Sequence, residues 1–372
     1  MNLLFISPHS MENPDIFRPK YFLRVLSEHF DEVYYAHPIN VSIRKLKKTA
    51  LRTVNMHGPY MRTGNTSHYA FPCWPEEFLK HPAAYRTGSR LAKAYFRRFA
   101  ETHDIDVVLF LRTIYLDAVE EIRRMNPDVK VVYDRHDAEE LFFPQVTDEI
   151  MNANKRINTL ADVIVVVTEP NIEICGFDKE KTLTIINGVD YSELRAHVEA
   201  AHKKSLPYKR PIIAYMGAIT SNYIDIKILK KIAESRPEWS IIMIGDGEIG
   251  YFKKELPSNV YFLGHKPFDE MLCYLKGADV FIMPMVREHL DIAWPTKTLI
   301  YLALGKFQVS SHIYEVKKRL SDTNVIFAET GEEFISGIEQ ALSDNPDTDI
   351  WPVVKQFDWA EIMTPLIKRI QS

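Results

Sequence analysis

The chain has 372 residues, 46% of them hydrophobic and 26% charged, with a formal net charge of −4. That length and balance predict a globular protein of two domains and exclude a disordered or fibrous chain. Its three cysteines, Cys73, Cys175 and Cys273, make no CxxC or Cys/His cluster, which excludes a disulfide framework and a structural zinc site. The N-terminal apolar run, Leu3 to Ile6, is far shorter than a signal segment, and no stretch approaches the roughly 18 apolar residues of a membrane-spanning helix. A cytoplasmic protein is expected, one that could still dock peripherally on the inner face of the cytoplasmic membrane.

In chain order, apolar runs suited to buried parallel strands fall at Asn2–Ser7, Val33–Ala36, Asp106–Leu111, Val129–Tyr133, Asp162–Val167 and Thr182–Ile186. Helical periodicity lies between most of them, as at Arg18–His29 and Leu116–Met125. Between Val33 and Ala100 twelve basic residues face two acids, Glu76 and Glu77, an asymmetry that points to an anionic partner. Within it Arg86, Arg90, Lys93 and Arg97 are spaced four, three and four apart, one stripe of a helix beside Leu91, Tyr95, Phe96 and Phe99. The stripe reads either as a solvated face or as a docking surface for anionic lipid headgroups, worth about 1 kcal/mol per base. Nucleic acid is not expected as a partner, because no nucleic-acid-binding motif accompanies the charge.

The segment Leu194–Arg210 loses strand character and carries Pro207, with Pro211 just beyond, so it reads as a linker. Strand-like runs restart at Ile212–Met216, Ser240–Ile244, Val260–Leu263, Asp279–Met283 and Phe307–Ser311, and a last helix is expected near Trp359–Ile370. The expected division is a first domain over 1–195, a linker over 196–210, a second domain over 211–355, and a C-terminal helix within 356–372 packing back on the first. Two successive βα series predict an α/β protein with two doubly wound, Rossmann-like sheets facing a cleft, with chemistry in the turns after the strands.

A literal dinucleotide fingerprint, Gly245-Asp-Gly247-Glu-Ile-Gly250, follows the second strand of its domain rather than the first. The next strand runs into Gly264-His265-Lys266 instead of an acid for the ribose, so tight-turn glycines are the better reading. In Trp294-Pro295-Thr296-Lys297-Thr298, Pro295 suits a first helical position and Gly305 the residue past the helix end. Free N–H groups at Pro295–Thr298, with the Lys297 charge, would make an anion site able to stabilise a departing diphosphate. Gly217, after the first strand of this domain, would let backbone approach a phosphate. The Asp-x-Asp pairs Asp104–Asp106 and Asp347–Asp349 precede a buried strand and lie in a surface turn, so neither reads as a metal–nucleotide site.

Several of these segments together resemble glycosyltransferase family 4, most of all its teichuronic-acid and xanthan glucuronosyltransferase-like branch. They are Ile213-Ala-Tyr-Met-Gly217-Ala-Ile219 with Asp225, Arg236-Pro237 through Gly245, Ile186-Asn187-Gly188-Val189-Asp190, Phe262-Leu263-Gly264-His265 and the Lys297–Lys306 helix. Phe17-Arg18-Pro19-Lys20 and Tyr133-Asp134-Arg-His136-Asp137 look similar to segments of the same branch. The resemblance implies a GT-B fold and transfer of a hexose or uronic acid from a nucleotide diphosphate sugar, UDP-sugar favoured, to a glycan or lipid-linked acceptor in surface polysaccharide synthesis. It implies no metal or other cofactor. Lys297, with the backbone at Thr296 and Thr298, would hold the diphosphate. Gly217 and Ala218 would face the phosphates, and Gly264–Lys266, with His265 and Lys266, the nucleobase. Gly245 joins this set, and Asp137 would be the general base if the reaction inverts configuration, with His136 beside it.

The sequence departs from the family where Ile300 and Ile292 replace glutamates and where Ala218 and Ser221–Asp225 replace basic residues. Ribose recognition would then fall to Arg287, Glu288 or His289. Two other readings stay open on the same fold: a nucleotide-sugar 2-epimerase, and a catalytically inactive nucleotide-sugar-binding or scaffold protein.

Overall fold

The computed structural model describes residues 1–11, 18–39, 58–74, 78–136, 138–347 and 349–372. The chain forms two compact units, Met1–Ile186 together with Met363–Ser372, and Asn187–Ile362. Among the described residues no helix is long and apolar enough to cross a membrane.

The first unit runs β1 (Asn2–Ile6), α1 (Arg18–Ser27), β2 (Glu32–Pro38), β3 (Met61–Thr63), β4 (Thr66–Phe71), α2 (Pro82–Ala100) and β5 (Val107–Phe110). It continues with α3 (Leu116–Met125), β6 (Lys130–Arg135), α4 (Glu139–Phe142), α5 (Thr147–Leu160), β7 (Val163–Val166), α6 (Pro170–Ile174) and β8 (Thr182–Thr184). The sheet order is β3-β4-β2-β1-β5-β6-β7-β8, parallel throughout except for the β3–β4 pair. Leu3, Leu4, Phe5 and Ile6 are all fully buried, because helices cover both faces of a parallel sheet. Phe96 of α2, Ile122 of α3 and Ile157 of α5 share one core with Val108, Tyr133 and Ile164 of the strands.

Sequence periodicity misses β3 and β4 for a physical reason. Ser67 and His68 of β4 are buried polar residues, 4% exposed each, so the strand never presents an apolar run. The two motifs Arg18-Pro19 and Tyr133-Asp134 meet in space. Arg18 Nε and Nη2 donate to the two Asp134 carboxylate oxygens, both at 2.8 Å, and Nη1 donates to the Ile185 and Ile186 carbonyls at 3.0 and 3.3 Å. Both side chains are buried, and a buried charge survives only when paired and hydrogen-bonded this fully. The pair therefore fastens the start of α1, the end of β6 and the chain after β8.

The second unit runs α7 (Tyr191–Ala200), β9 (Ile212–Met216), α8 (Ile226–Ser235), β10 (Ser240–Ile244), α9 (Ile249–Glu255), β11 (Val260–Gly264), α10 (Phe268–Gly277) and β12 (Val280–Met283). After these come α11 (Lys297–Ala303), β13 (Gln308–Ser310), α12 (Tyr314–Leu320), β14 (Val325–Phe327), α13 (Gly331–Ser343), α14 (Trp351–Lys355) and α15 (Trp359–Gln371), whose last turns count with the first unit. The sheet is wholly parallel in the order β11-β10-β9-β12-β13-β14.

Helix α7 occupies the start of the expected linker. Asp190 caps it by accepting from the Glu193 N–H at 2.9 Å, and only Leu194 and Val198 are buried, too few to give a clear helical period. The Asn187–Asp190 motif has a packing role within this unit. A Cβ at Gly188 would stand 2.6 Å from the Phe357 carbonyl, and Val189 N–H donates to that carbonyl at 2.9 Å.

Candidate functional site

The strand order of the second unit reverses between β9 and β12, and in doubly wound sheets ligands bind at that switch, outside the carboxyl ends of the strands. Three loops meet there. Gly217 N–H donates to the Ile244 carbonyl at 2.9 Å, Ile219 N–H to Asp246 at 2.8 Å, and Glu248 N–H to Ile219 at 2.7 Å, so the loops after β9 and β10 lie backbone to backbone. This contact requires glycine. A Cβ on Gly245 would fall 2.0 Å from the Gly217 carbonyl oxygen and one on Gly247 2.3 Å from that of Ile219, while both have φ above +140°. The fingerprint glycines thus serve loop packing. The third loop, after β12, joins through Asp225 N–H to Pro284 at 2.8 Å and Val286 N–H to Tyr223 at 3.1 Å.

Lys297 points into this switch. Its Nζ donates to the Tyr215 hydroxyl at 2.9 Å and lies 4.3 Å from the centre of the same ring. Tyr215 in turn donates to the Ala218 carbonyl at 2.9 Å. A Cβ on Gly217, whose φ is +123°, would come within 2.5 Å of Nζ, so the glycine leaves room for the amine beside the end of β9. Burial lowers the Lys297 amine to about 7, with no charged neighbour offsetting it. The site therefore holds an amine that an incoming anion would charge. Sequence reading missed Tyr215, which a strand pattern files as core; its hydroxyl, two residues before Gly217, was the available signal.

The helix behind Lys297 differs from the expected one. It begins at Lys297 with Thr296 as its cap, and Thr298 and Leu299 N–H donate back to the Pro295 and Thr296 carbonyls, both at 3.0 Å. One of the amides expected to face an anion, that of Thr298, is thereby used, because the tight turn after Pro295 closes on itself. The Thr298 hydroxyl is buried against Met283 Sδ at 3.8 Å, which removes it as a ligand. Lys297 lies at the switch through Tyr215, and Thr296 precedes it as the helix cap.

The remaining expected residues lie around it unevenly. Ala218 is exposed beside Gly217. His265 and Lys266 follow β11, the edge strand, two places from β9. His265 N–H donates to Asp246 at 3.2 Å, and Lys266 Nζ lies 5.6 Å from the Tyr274 ring of α10. Arg287 and Glu288 are exposed in a short turn after β12, where His289 packs 5.1 Å from the Tyr223 ring. Ile300 packs against the apolar cluster formed by Met216, Phe281 and Tyr301.

Residues 210–344 match the family described as Glycosyl transferases group 1. Over the whole chain the similar solved structures include an apo structure of OtsA, with 11% identity, coverage of 100% of this chain and 99% of that one, and a TM-score of 0.74. The fold is GT-B. A structure described as trehalose-6-phosphate from E. coli bound with UDP-2-fluoro glucose gives 10% identity, coverage of 100% and 99%, and a TM-score of 0.69. HepE of Anabaena, in complex with UDP and glucose, gives 14% identity, coverage of 100% and 99%, and a TM-score of 0.63. A comparison with curated protein sequences gives no match.

In the first unit of this GT-B chain, His136 follows β6 and is partly buried, while Asp137 lies outside the described residues. The basic stripe of α2 is divided. Lys93 and Arg97 face Glu121 of α3 at 3.4 and 3.8 Å, and Arg97 also lies 3.8 Å from Glu101. Lys93 and Arg97 thus have acidic neighbours, and Glu121 is shared with Arg124, which pairs with it at 2.6 Å. Arg86 gives its Nε to the Pro82 carbonyl at 3.2 Å, and Arg90 is exposed. Five other bases of that segment, Arg44, Lys45, Lys47, Lys48 and Arg52, lie outside the described residues.

Proposed function

We propose that this protein is a glycosyltransferase that moves a hexosyl or uronosyl unit from a nucleotide diphosphate sugar, UDP-linked by preference, to a glycan or lipid-linked acceptor. The observation that carries the reading is Lys297, a partly buried amine without a counter-charge, set at the strand switch beside a glycine-only loop contact. When the sugar–phosphate bond breaks, charge gathers on the departing diphosphate, and a fixed cation there stabilises that charge more than it stabilises the bound donor. The family match over 210–344 and the GT-B fold support the same chemistry. Asp137 is proposed to take the acceptor hydroxyl proton, with His136 next to it.

The test is titration calorimetry of the whole protein with UDP, GDP and dTDP. Lys297→Ala should weaken the preferred nucleotide by about 10- to 100-fold, the loss expected for one hydrogen bond to a charged group. Unchanged affinity would remove the assignment. Product formation that needs no acceptor would favour an epimerase instead.

A further inference from the structure

Helices α2, α3 and α5 of the first unit enclose a pocket of about 350 Å³, within the rough range of 300–1,000 Å³ of small-molecule sites. It is lined by residues between Tyr85 and Arg90 of α2, Asp117 of α3, residues between Glu149 and Arg156 of α5, and Thr113, just after β5 at the carboxyl end of that strand. Its floor is polar and buried. The Tyr85 and Thr113 hydroxyls pair at 2.7 Å, Thr113 Oγ1 donates to Glu139 at 2.9 Å, and Ser89 Oγ donates to Asp117 at 2.8 Å. Further along the same helices the packing is apolar, through Ala92, Phe96, Val119 and Ile122. Polar groups in a helix seam cost stability unless they are fully bonded or used.

The bases on the walls are unequally paired. Arg156 is committed to Asp117 at 2.7 Å and to Glu120, and burial, which would push Asp117 up, is outweighed by Arg156 and Ser89, which hold its carboxyl below the usual value. Arg90 makes no ion pair or hydrogen bond with any described residue, and Arg86 uses only its Nε, although Lys93 and Arg97 of the same helix are both paired. Two guanidinium groups are thus left over the pocket, opposite Glu149 and Asn152 of α5. A guanidinium fork suits a carboxylate or phosphate. Glu149 would repel a bare anion, yet a carboxylate and an amide side by side accept and donate to sugar hydroxyls.

We propose that this pocket binds an anionic saccharide, a sugar unit carrying a carboxylate or a phosphate, with Arg86 and Arg90 on the charge and Glu149 and Asn152 on the hydroxyls. That this saccharide is the acceptor rests on the glycosyltransferase reading; the binding site itself does not.

The full-length protein, without nucleotide, is titrated with glucuronate, glucose 6-phosphate, glucose and inorganic phosphate by ligand-observed NMR, and separately with UDP. One or both anionic sugars should bind at least tenfold more tightly than glucose or phosphate. Arg90→Ala, a substitution that favours a surface helix, should weaken them about tenfold, and Lys93→Ala should not. Glucose or phosphate binding as well as the anionic sugars, an unaltered Arg90→Ala, or no saccharide binding overturns the proposal. Glucuronate binding without UDP binding would instead sink the glycosyltransferase reading and leave the pocket standing.

Discussion

Lys297 shows how a single side chain can be chemically specified by what is missing around it. Its amine falls from 10.5 to about 7 because burial penalises the charge and only a neutral tyrosine answers it. An unfolded chain therefore binds more protons than the folded one between those values. This residue's contribution to stability rises as pH climbs from about 7 through 10.5. Ligand binding has the opposite sign. A diphosphate restores the charge, so above pH 7 its binding takes up a proton, and UDP affinity should fall as pH rises from about 7 to about 9. Calorimetry in two buffers of different ionisation enthalpy should detect that proton, and Lys297→Met should abolish both the uptake and the pH slope. At the same scale the sequence shows Lys297 itself, through its place before an apolar helix, but not Tyr215, whose hydroxyl matters only once α11 lies beside β9.

The elements of the site are held by backbone contact more than by side chains. Gly245 and Gly247 press on the carbonyls of Gly217 and Ile219, whereas a Cβ on Gly250 meets nothing within 4 Å. The same fingerprint therefore contains two glycines that tolerate no side chain and one that does. Gly245→Ala and Gly247→Ala should each destabilise the protein by on the order of 2–4 kcal/mol, from strained φ and overpacking. Gly250→Ala should leave the melting temperature unchanged or raise it slightly, since alanine favours a helix. A thermal melt of the three variants checks this, and equal losses in all three would contradict the packing account. Most buried strands were legible because each is a short apolar run covered on both faces. The exceptions failed for local reasons: β4 buries Ser67 and His68, and α7 buries too little to show a period.

For the molecule as a whole, the C-terminus is structurally part of the beginning. Met363, Leu366, Ile367 and Ile370 are buried, and residues 363–372 count with the first unit. Lys130 Nζ donates to the Ile370 carbonyl at 2.9 Å, and Arg369 to that of Glu180 at 2.6 Å. Deleting these ten residues removes four buried apolar side chains, each contributing roughly 1.5–3 kcal/mol. Hydrogen exchange should then accelerate in β6 and β7 while β9 and β10 keep their protection; an equal loss in both units would contradict this division. The sequence by itself determined the two βα series, the parallel strands and the place of Lys297, because these follow from periodicity and helix-start chemistry along the chain. Only the tertiary structure decided that Arg18 meets Asp134, that Glu121 stands beside Lys93 and Arg97, and that Thr298 turns inward. Each of those depends on which distant groups share a desolvated space, and no local pattern encodes that.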